Sequence, residues 1–241
     1  QYIEWHSSKA STSRTHSACE GFGIVMRLFE KRTKILIELE EFLSSEEFNQ
    51  AIAEKFDFPF EDCKVDGGIQ KYLDGYEISP HPDMRKKAAT YMVNINPSAA
   101  SEASDHHTHY LKFKPSKKYI SKFWESNKGY DRDWVPWNWC ETIKQQNKNN
   151  SIVLFSPSND TMHAVKANYN HLMTQRTQLY GNLWYLDLET KPLNWEQLQI
   201  PNEALDRKIN WQQILKAYVP SSVKSAIRKH LNHGNEVEKK I

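Results

Sequence analysis

Through the middle of the chain, apolar and polar positions alternate with period two, the pattern of strands with one buried face. In 89–97, Tyr91, Val93 and Ile95 share one face and Met92, Asn94 and Asn96 the other, and Pro97 closes the run. The stretch 109–114 alternates again, with Leu111 and Phe113 apolar and Lys112 and Lys114 polar. SIVLFSP at 151–157 is a short apolar strand, and RTQLYGNLWYLDL at 176–188 is a long one with Gly181 inside it. Residues 68–96 read as β-rich throughout. Two earlier runs, GIVMRLF at 23–29 and KILIELEEFL at 34–43, are also read as strands, separated by KRT.

Helical spacing occurs in two places. Ser44 can cap a helix, Glu47 sits where its reciprocal capping partner belongs, and Phe48, Ile52 and Phe56 follow at i, i+4 and i+8. Late in the chain Trp211, Ile214, Leu215 and Tyr218 fall at i, i+3, i+4 and i+7. Pro220 interrupts, and Val223, Ile227 and Leu231 resume the spacing up to Gly234. The first twenty residues are polar and read as an arm, and 115–150 reads as a long polar and aromatic loop. The expected organisation is a polar arm over 1–22, a β domain over 23–190 and a C-terminal helical annex over 191–241. Many short strands with turn signals point to a mainly β fold with flanking helices, a barrel or jelly roll.

Composition narrows the function classes. At 241 residues, 39% apolar and 12% aromatic, the chain can bury a sizeable core. No apolar run approaches the roughly 18–20 residues of a membrane span. With 32 basic and 30 acidic side chains, nothing draws the chain as a whole to nucleic acid. No basic leader followed by an apolar run is visible, and Cys19, Cys63 and Cys140 are an odd set with no CxxC pair. These features give the expectation of a cytoplasmic, reducing setting without a disulfide framework.

The candidate chemistry starts at His81-Pro82-Asp83. Side chains two apart in an extended chain point the same way, so His81 and Asp83 can reach one metal ion. His163 lies in NDTMHAV, just past the strand at 151–157, and Arg176 opens the long strand thirteen residues later. Two His and one carboxylate with three positions left open make the facial triad of non-haem Fe(II) oxygenases. The open positions suit dioxygen and a chelating 2-oxo acid. The far carboxylate of that acid calls for a permanent cation with bidentate geometry, which Arg supplies. The gap of thirteen leaves Lys166 as a second candidate cation.

At this point the sequence resembles a family. The order H-x-D, distal His after a strand and an SP turn, then a basic residue on the next strand, is similar to the 2-oxoglutarate- and Fe(II)-dependent dioxygenases, most of all their prolyl-4-hydroxylase-like branch. KYLDGYEISPHPD, ATYMVNI and SIVLFSPSNDTMHAV carry the likeness, which spans roughly 35–188. The resemblance implies a double-stranded β-helix, Fe(II) held by His81, Asp83 and His163, and 2-oxoglutarate anchored by Arg176 with Tyr72 beside it. It implies hydroxylation of a C–H bond with release of succinate and CO2, with dioxygen as co-substrate and ascorbate as a candidate reductant. A prolyl or other peptide residue is the leading substrate class. A small molecule such as an amino acid or sugar-linked metabolite is the alternative, and a cupin-like binder without turnover is the rival reading.

Three further features need an account. His106, His107 and His109 could bind Zn or Ni or line a site mouth, but their Ser- and Asp-flanked loop reads first as solvated. Trp134, Trp137 and Trp139 read as either a substrate wall or packing over the barrel end. Lys208, Lys216, Lys224, Arg228 and Lys229 read as the solvated face of the annex, whose Trp211–Tyr218 stripe could pair two chains as a homodimer.

Overall fold

The computed structural model describes residues 2–6 (backbone alone), 18, 21–73, 75–166 and 176–201. The chain divides into two compact units, Gln1–Pro201 and Asn202–Ile241. The stripe and basic face expected of the C-terminal annex lie outside the described residues. Within 191–201 the structure holds a short 3-10 turn at Trp195–Gln197.

Among the described residues ten strands form two antiparallel sheets. The larger is built from β1 (Tyr2–His6), β2 (Gly23–Leu28), β3 (Cys63–Tyr72), β5 (Lys87–Asn94), β8 (Ser151–Phe155) and β10 (Thr177–Tyr185). Its order is β1-β2-β3-β10-β5-β8. The smaller sheet contains β4 (Ile78–His81), β6 (His109–Phe113), β7 (Cys140–Gln145) and β9 (Met162–Val165), in the order β4-β9-β6-β7. Among the described residues three helices flank them: α1 (Lys34–Ser44), α2 (Glu46–Phe56) and α3 (Tyr119–Ser126). No helix of the described residues is long and apolar enough to cross a membrane.

Four sequence readings are corrected. Residues 34–43 are helical. Leu36, Leu39 and Leu43 repeat at i, i+3 and i+7 and pack towards the large sheet, whereas Ile35 and Ile37, which gave the run its strand-like look, are exposed. The cap of α2 is Ser45 instead of Ser44: its hydroxyl accepts from the Phe48 N–H at 3.3 Å. Ser44 is used up as the last residue of α1, and the expected reciprocal partnership with Glu47 is lost with it. The helix does end at Phe56, with Asp57 in the left-handed region. Tyr2–His6, read as part of an arm, pairs with β2 from Tyr2↔Arg27 to His6↔Gly23. Finally, 115–150 contains α3 and β7. Ile120 and Trp124 give α3 a helical stripe, whereas β7 is an exposed edge strand with little apolar signal.

The large sheet is two-faced, and β10 shows why. Leu179 and Leu183 point to one side, where they pack with Ile69, Ala88, Ala89 and Tyr91 against Leu43 and Ile52 of the helices. Gly181 lies between them because the Tyr91 ring crosses that position: a Cβ there would stand 2.0 Å from a ring carbon. The Tyr91 hydroxyl donates to the Leu43 carbonyl at 3.3 Å, and its ring meets Phe48 edge-on. Alternate residues Tyr180, Asn182 and Trp184 point the other way, into a cavity of about 250 Å³. The small sheet closes that cavity from the other side through Ile78, His81, His163 and Val165, with Thr108 just ahead of β6. A second apolar cluster, with Leu111, Phe113, Trp124 and Trp137, packs the small sheet against α3.

Candidate metal centre

The strand pairing β4–β9 sets His81 directly opposite His163. Cross-strand partners project to the same face, so both imidazoles enter the cavity, with ring centroids 4.3 Å apart. Asp83 follows β4 in the left-handed conformation at φ 66°, which Asp tolerates better than most residues. That turn brings its carboxylate back between the two rings. The Arg132 Nε–H donates to the Asp83 carbonyl at 3.2 Å and fixes the turn. One ligand atom from each of His81, Asp83 and His163 falls within 4.8 Å of the others, and all three residues are buried.

The ring nitrogens are already sorted. His81 Nδ1 lies 2.8 Å from the Ser79 carbonyl, and His163 Nδ1 lies 3.4 Å from the Thr161 carbonyl. A carbonyl only accepts, so each Nδ1 carries the proton and each Nε2 presents a lone pair. Those lone pairs face the carboxylate at 3.7 Å from His81 to Oδ1 and 3.8 Å from His163 to Oδ2, too long for hydrogen bonds. Burial pushes the His81 imidazole down to about 3, with His163 adding to the shift. Burial likewise lowers His163. For Asp83, burial acts to raise the carboxyl, but the Lys87 ammonium, joined by His163 and His81 when they are protonated, outweighs it and holds it well below the usual carboxylate range. At neutral pH the centre therefore consists of two neutral imidazoles and one carboxylate, three electron-pair donors facing one another away from water. That arrangement is unfavourable alone and suits a cation among them. The ligand types match the 2-His-1-carboxylate set.

Arg176 lies in the same cavity, fully buried just before β10. Its Nη2 donates to Thr108 Oγ1 at 3.2 Å and Gln178 Oε1 at 3.3 Å. Among the described residues its Nε and Nη1 have no hydrogen-bond partner. The guanidinium lies 3.8 Å over the Tyr72 ring, and Gln70 Nε2 donates to the Tyr72 hydroxyl. Buried donors left open on a cation are costly unless an anion completes them. Lys166 is elsewhere, 3.6 Å from Asp105 and over the Trp137 ring. The structure thus brings together all five residues singled out in the sequence.

The histidine-rich segment is not the solvated loop that its flanking Ser and Asp suggest. His106, His107 and His109 are buried. His107 Nε2 meets the Ser101 carbonyl at 2.6 Å and His109 Nδ1 meets Thr142 Oγ1 at 3.1 Å. Among the described residues the three do not assemble into a metal-holding cluster; only His81, Asp83 and His163 do. Trp137 and Trp139 pack with α3, and Trp134 lies 5.9 Å from His81. The aromatic lining of the cavity is instead Tyr72, Tyr76, Tyr180 and Trp184, of which period-two counting from Arg176 along β10 would have found the last two.

Sequence reasoning missed Lys87 and Thr90. Lys87 Nζ lies 2.9 Å from Asp83 Oδ1, and Thr90 Oγ1 lies 3.2 Å from Oδ2. Their role depends on the turn at Asp83, which no local motif announces.

No family model matches the chain, and no curated protein matches it. Solved structures that align with it include a Pseudomonas putida prolyl-4-hydroxylase, 11% identical, covering 68% of this chain and 73% of that one at a TM-score of 0.38. An oxidoreductase of the 2OG-Fe(II) oxygenase family from Burkholderia pseudomallei is 9% identical, with 70% and 71% coverage and a TM-score of 0.39. EvdO2 from Micromonospora carbonacea var. aurantiaca, complexed with 2-oxoglutarate, is 12% identical, with 66% and 70% coverage and a TM-score of 0.35.

Proposed function

We propose that this chain is an Fe(II)- and 2-oxoglutarate-dependent dioxygenase built on a double-stranded β-helix, hydroxylating a C–H bond of a peptide residue or a small molecule. One observation carries the reading: two neutral imidazoles and an ionised carboxylate converge within 4.8 Å, buried, with no hydrogen bond among them. His81, Asp83 and His163 would hold the metal. Fe(II) bound there supplies coupling between dioxygen, oxidative decarboxylation of the 2-oxo acid to succinate and CO2, and oxidation of the substrate C–H bond.

The residues of the chain supply the rest. The open donors of Arg176 suit the far carboxylate of 2-oxoglutarate, and the Tyr72 ring limits where the guanidinium can go. The Nδ1–carbonyl contacts hold both imidazoles in the ligating tautomer without further reorganisation. Tyr180, Asn182 and Trp184 line the remaining space, where a substrate would be placed and water excluded. A cupin-like binder would need the triad but not a buried guanidinium with two spare donors.

The test is anaerobic titration with Fe(II) and then 2-oxoglutarate, watching for the visible charge-transfer band of a chelated 2-oxo acid. The band should form in the wild type and be lost in His163→Ala. Iron binding without the band would overturn the oxygenase reading and leave the cupin-like one.

A further inference from the structure

The two oxygens of Asp83 are held unequally. Oδ1 accepts from the Lys87 ammonium at 2.9 Å, a charge-assisted bond inside the cavity. Oδ2 lies 3.2 Å from Thr90 Oγ1, but that hydroxyl lies equally 3.2 Å from Asn182 Oδ1 and has one proton to give. The grip on Oδ2 is divided and weak; the grip on Oδ1 is undivided and ionic. Lys87 is itself fixed at both ends. Its backbone N–H donates to the Met84 carbonyl at 3.2 Å, closing the turn after Asp83. Its ammonium lies 5.2 Å over the ring of Trp184, its cross-strand partner on β10.

We propose that Lys87 is a positioning residue for the metal centre: it occupies Oδ1 with a charge-assisted bond, so that Asp83 offers Oδ2 alone to the metal and the position a second oxygen would fill stays open for co-substrate. The proposal rests on the dioxygenase reading above. A carboxylate with both oxygens unrestrained readily binds a cation through both. A 2-oxo acid chelates through two atoms and dioxygen needs a third position, so an oxygen of Asp83 in any of the three competes directly with 2-oxoglutarate. The ammonium also withdraws charge from the carboxylate, which weakens its bid for a second bond. The metal would be seated by the triad, whereas Lys87 decides how many sites it keeps free.

The experiment uses Co(II), whose visible absorption reports coordination number, in the wild type, Lys87→Met and Lys87→Arg. Met keeps an unbranched stem over Trp184 without the ammonium; Arg retains a donor to Oδ1. Wild type and Lys87→Arg should give the same Co(II) spectrum. Lys87→Met should still bind Co(II) but with an altered spectrum, and its 2-oxoglutarate dissociation constant should rise by about tenfold, the lower end of what loss of an outer-sphere partner costs. An unchanged spectrum and unchanged 2-oxoglutarate affinity in Lys87→Met would overturn the proposal, and so would Lys87→Arg behaving like Lys87→Met. Wild-type protein that fails to bind Co(II) would instead overturn the metal-centre reading itself.

Discussion

Among the described residues two groups of buried histidines occur, and only one of them is arranged as a metal site. His106, His107 and His109 are close in sequence, and the rings of His106 and His107 are 4.5 Å apart. His81 and His163 are 82 positions apart in the chain yet equally close, at 4.3 Å. In the first group, His107 and His109 each direct a ring nitrogen at a neighbouring carbonyl or hydroxyl, and the carboxylate beside them, Asp105 at 3.4 Å from His109 Nε2, is exposed to solvent and not enclosed by the rings. In the second, one nitrogen per ring is spent on a carbonyl and the other is turned towards Asp83. Histidine density along the chain is therefore a poor guide. Strand register, which sets two side chains opposite each other on the inner face of a sheet, separates a ligand from a packing residue.

The largest expected effect is on Asp83→Ala. Fe(II) affinity should fall by more than the roughly 10–100-fold that an outer partner costs, as calorimetric titration would show. The apo-protein should lose little in melting temperature, because relief of the carboxylate facing two lone pairs offsets the loss of its bond to Lys87. Undiminished Fe(II) affinity would erase the distinction between the two groups. Next is Arg176→Ala, whose guanidinium touches both regions through Thr108. It should weaken 2-oxoglutarate binding by about 2–5 kcal/mol, the cost of leaving one charge of a buried pair unmatched, while Fe(II) affinity stays as it was.

His107→Ala sharpens the contrast from the other side. It leaves a void and removes one of the two hydrogen bonds to the Ser101 carbonyl, which keeps that from the Ser104 N–H, so unfolding in denaturant should show a loss of about 2–3 kcal/mol. Fe(II) titration should be unaffected, whereas His163→Ala should give the reverse pattern. Last comes the pH dependence of the apo-protein, the smallest of these effects over any single pH unit. The unfolded chain takes up a proton at His81 below about 6.5, whereas the folded protein resists until about 3. The unfolded state therefore binds more protons across that window, and stability should fall as pH drops through it, by up to about 1.4 kcal/mol per pH unit. His81→Asn should flatten this slope. A slope that persists unchanged would place the titrating group elsewhere.

What was legible in the sequence was what local spacing controls. His81 and Asp83 are two apart, and the strands carrying Tyr91 and Leu179 alternate cleanly, so the triad and the large sheet could be anticipated. The histidine segment misled because its Ser and Asp neighbours suggest solvent, whereas pairing of β6 between β7 and β9 buries it. Helix α1 misled because Ile35 and Ile37, the β-branched residues, are the ones left outside. The roles of Lys87 and Thr90 depend on a left-handed turn and a cross-strand neighbour, neither of which local composition encodes.

The two-faced character of β10 also bears on how such a protein can change over time. Leu179, Gly181 and Leu183 answer to the helices, and Tyr180, Asn182 and Trp184 answer to whatever enters the cavity. Selection for a new substrate can act on the second set while leaving the first untouched, so appetite and robustness are free to drift separately on one strand. A single-residue insertion would do the opposite, exchanging the two sets at once. Within this strand, novelty is open to substitution and closed to changes of length.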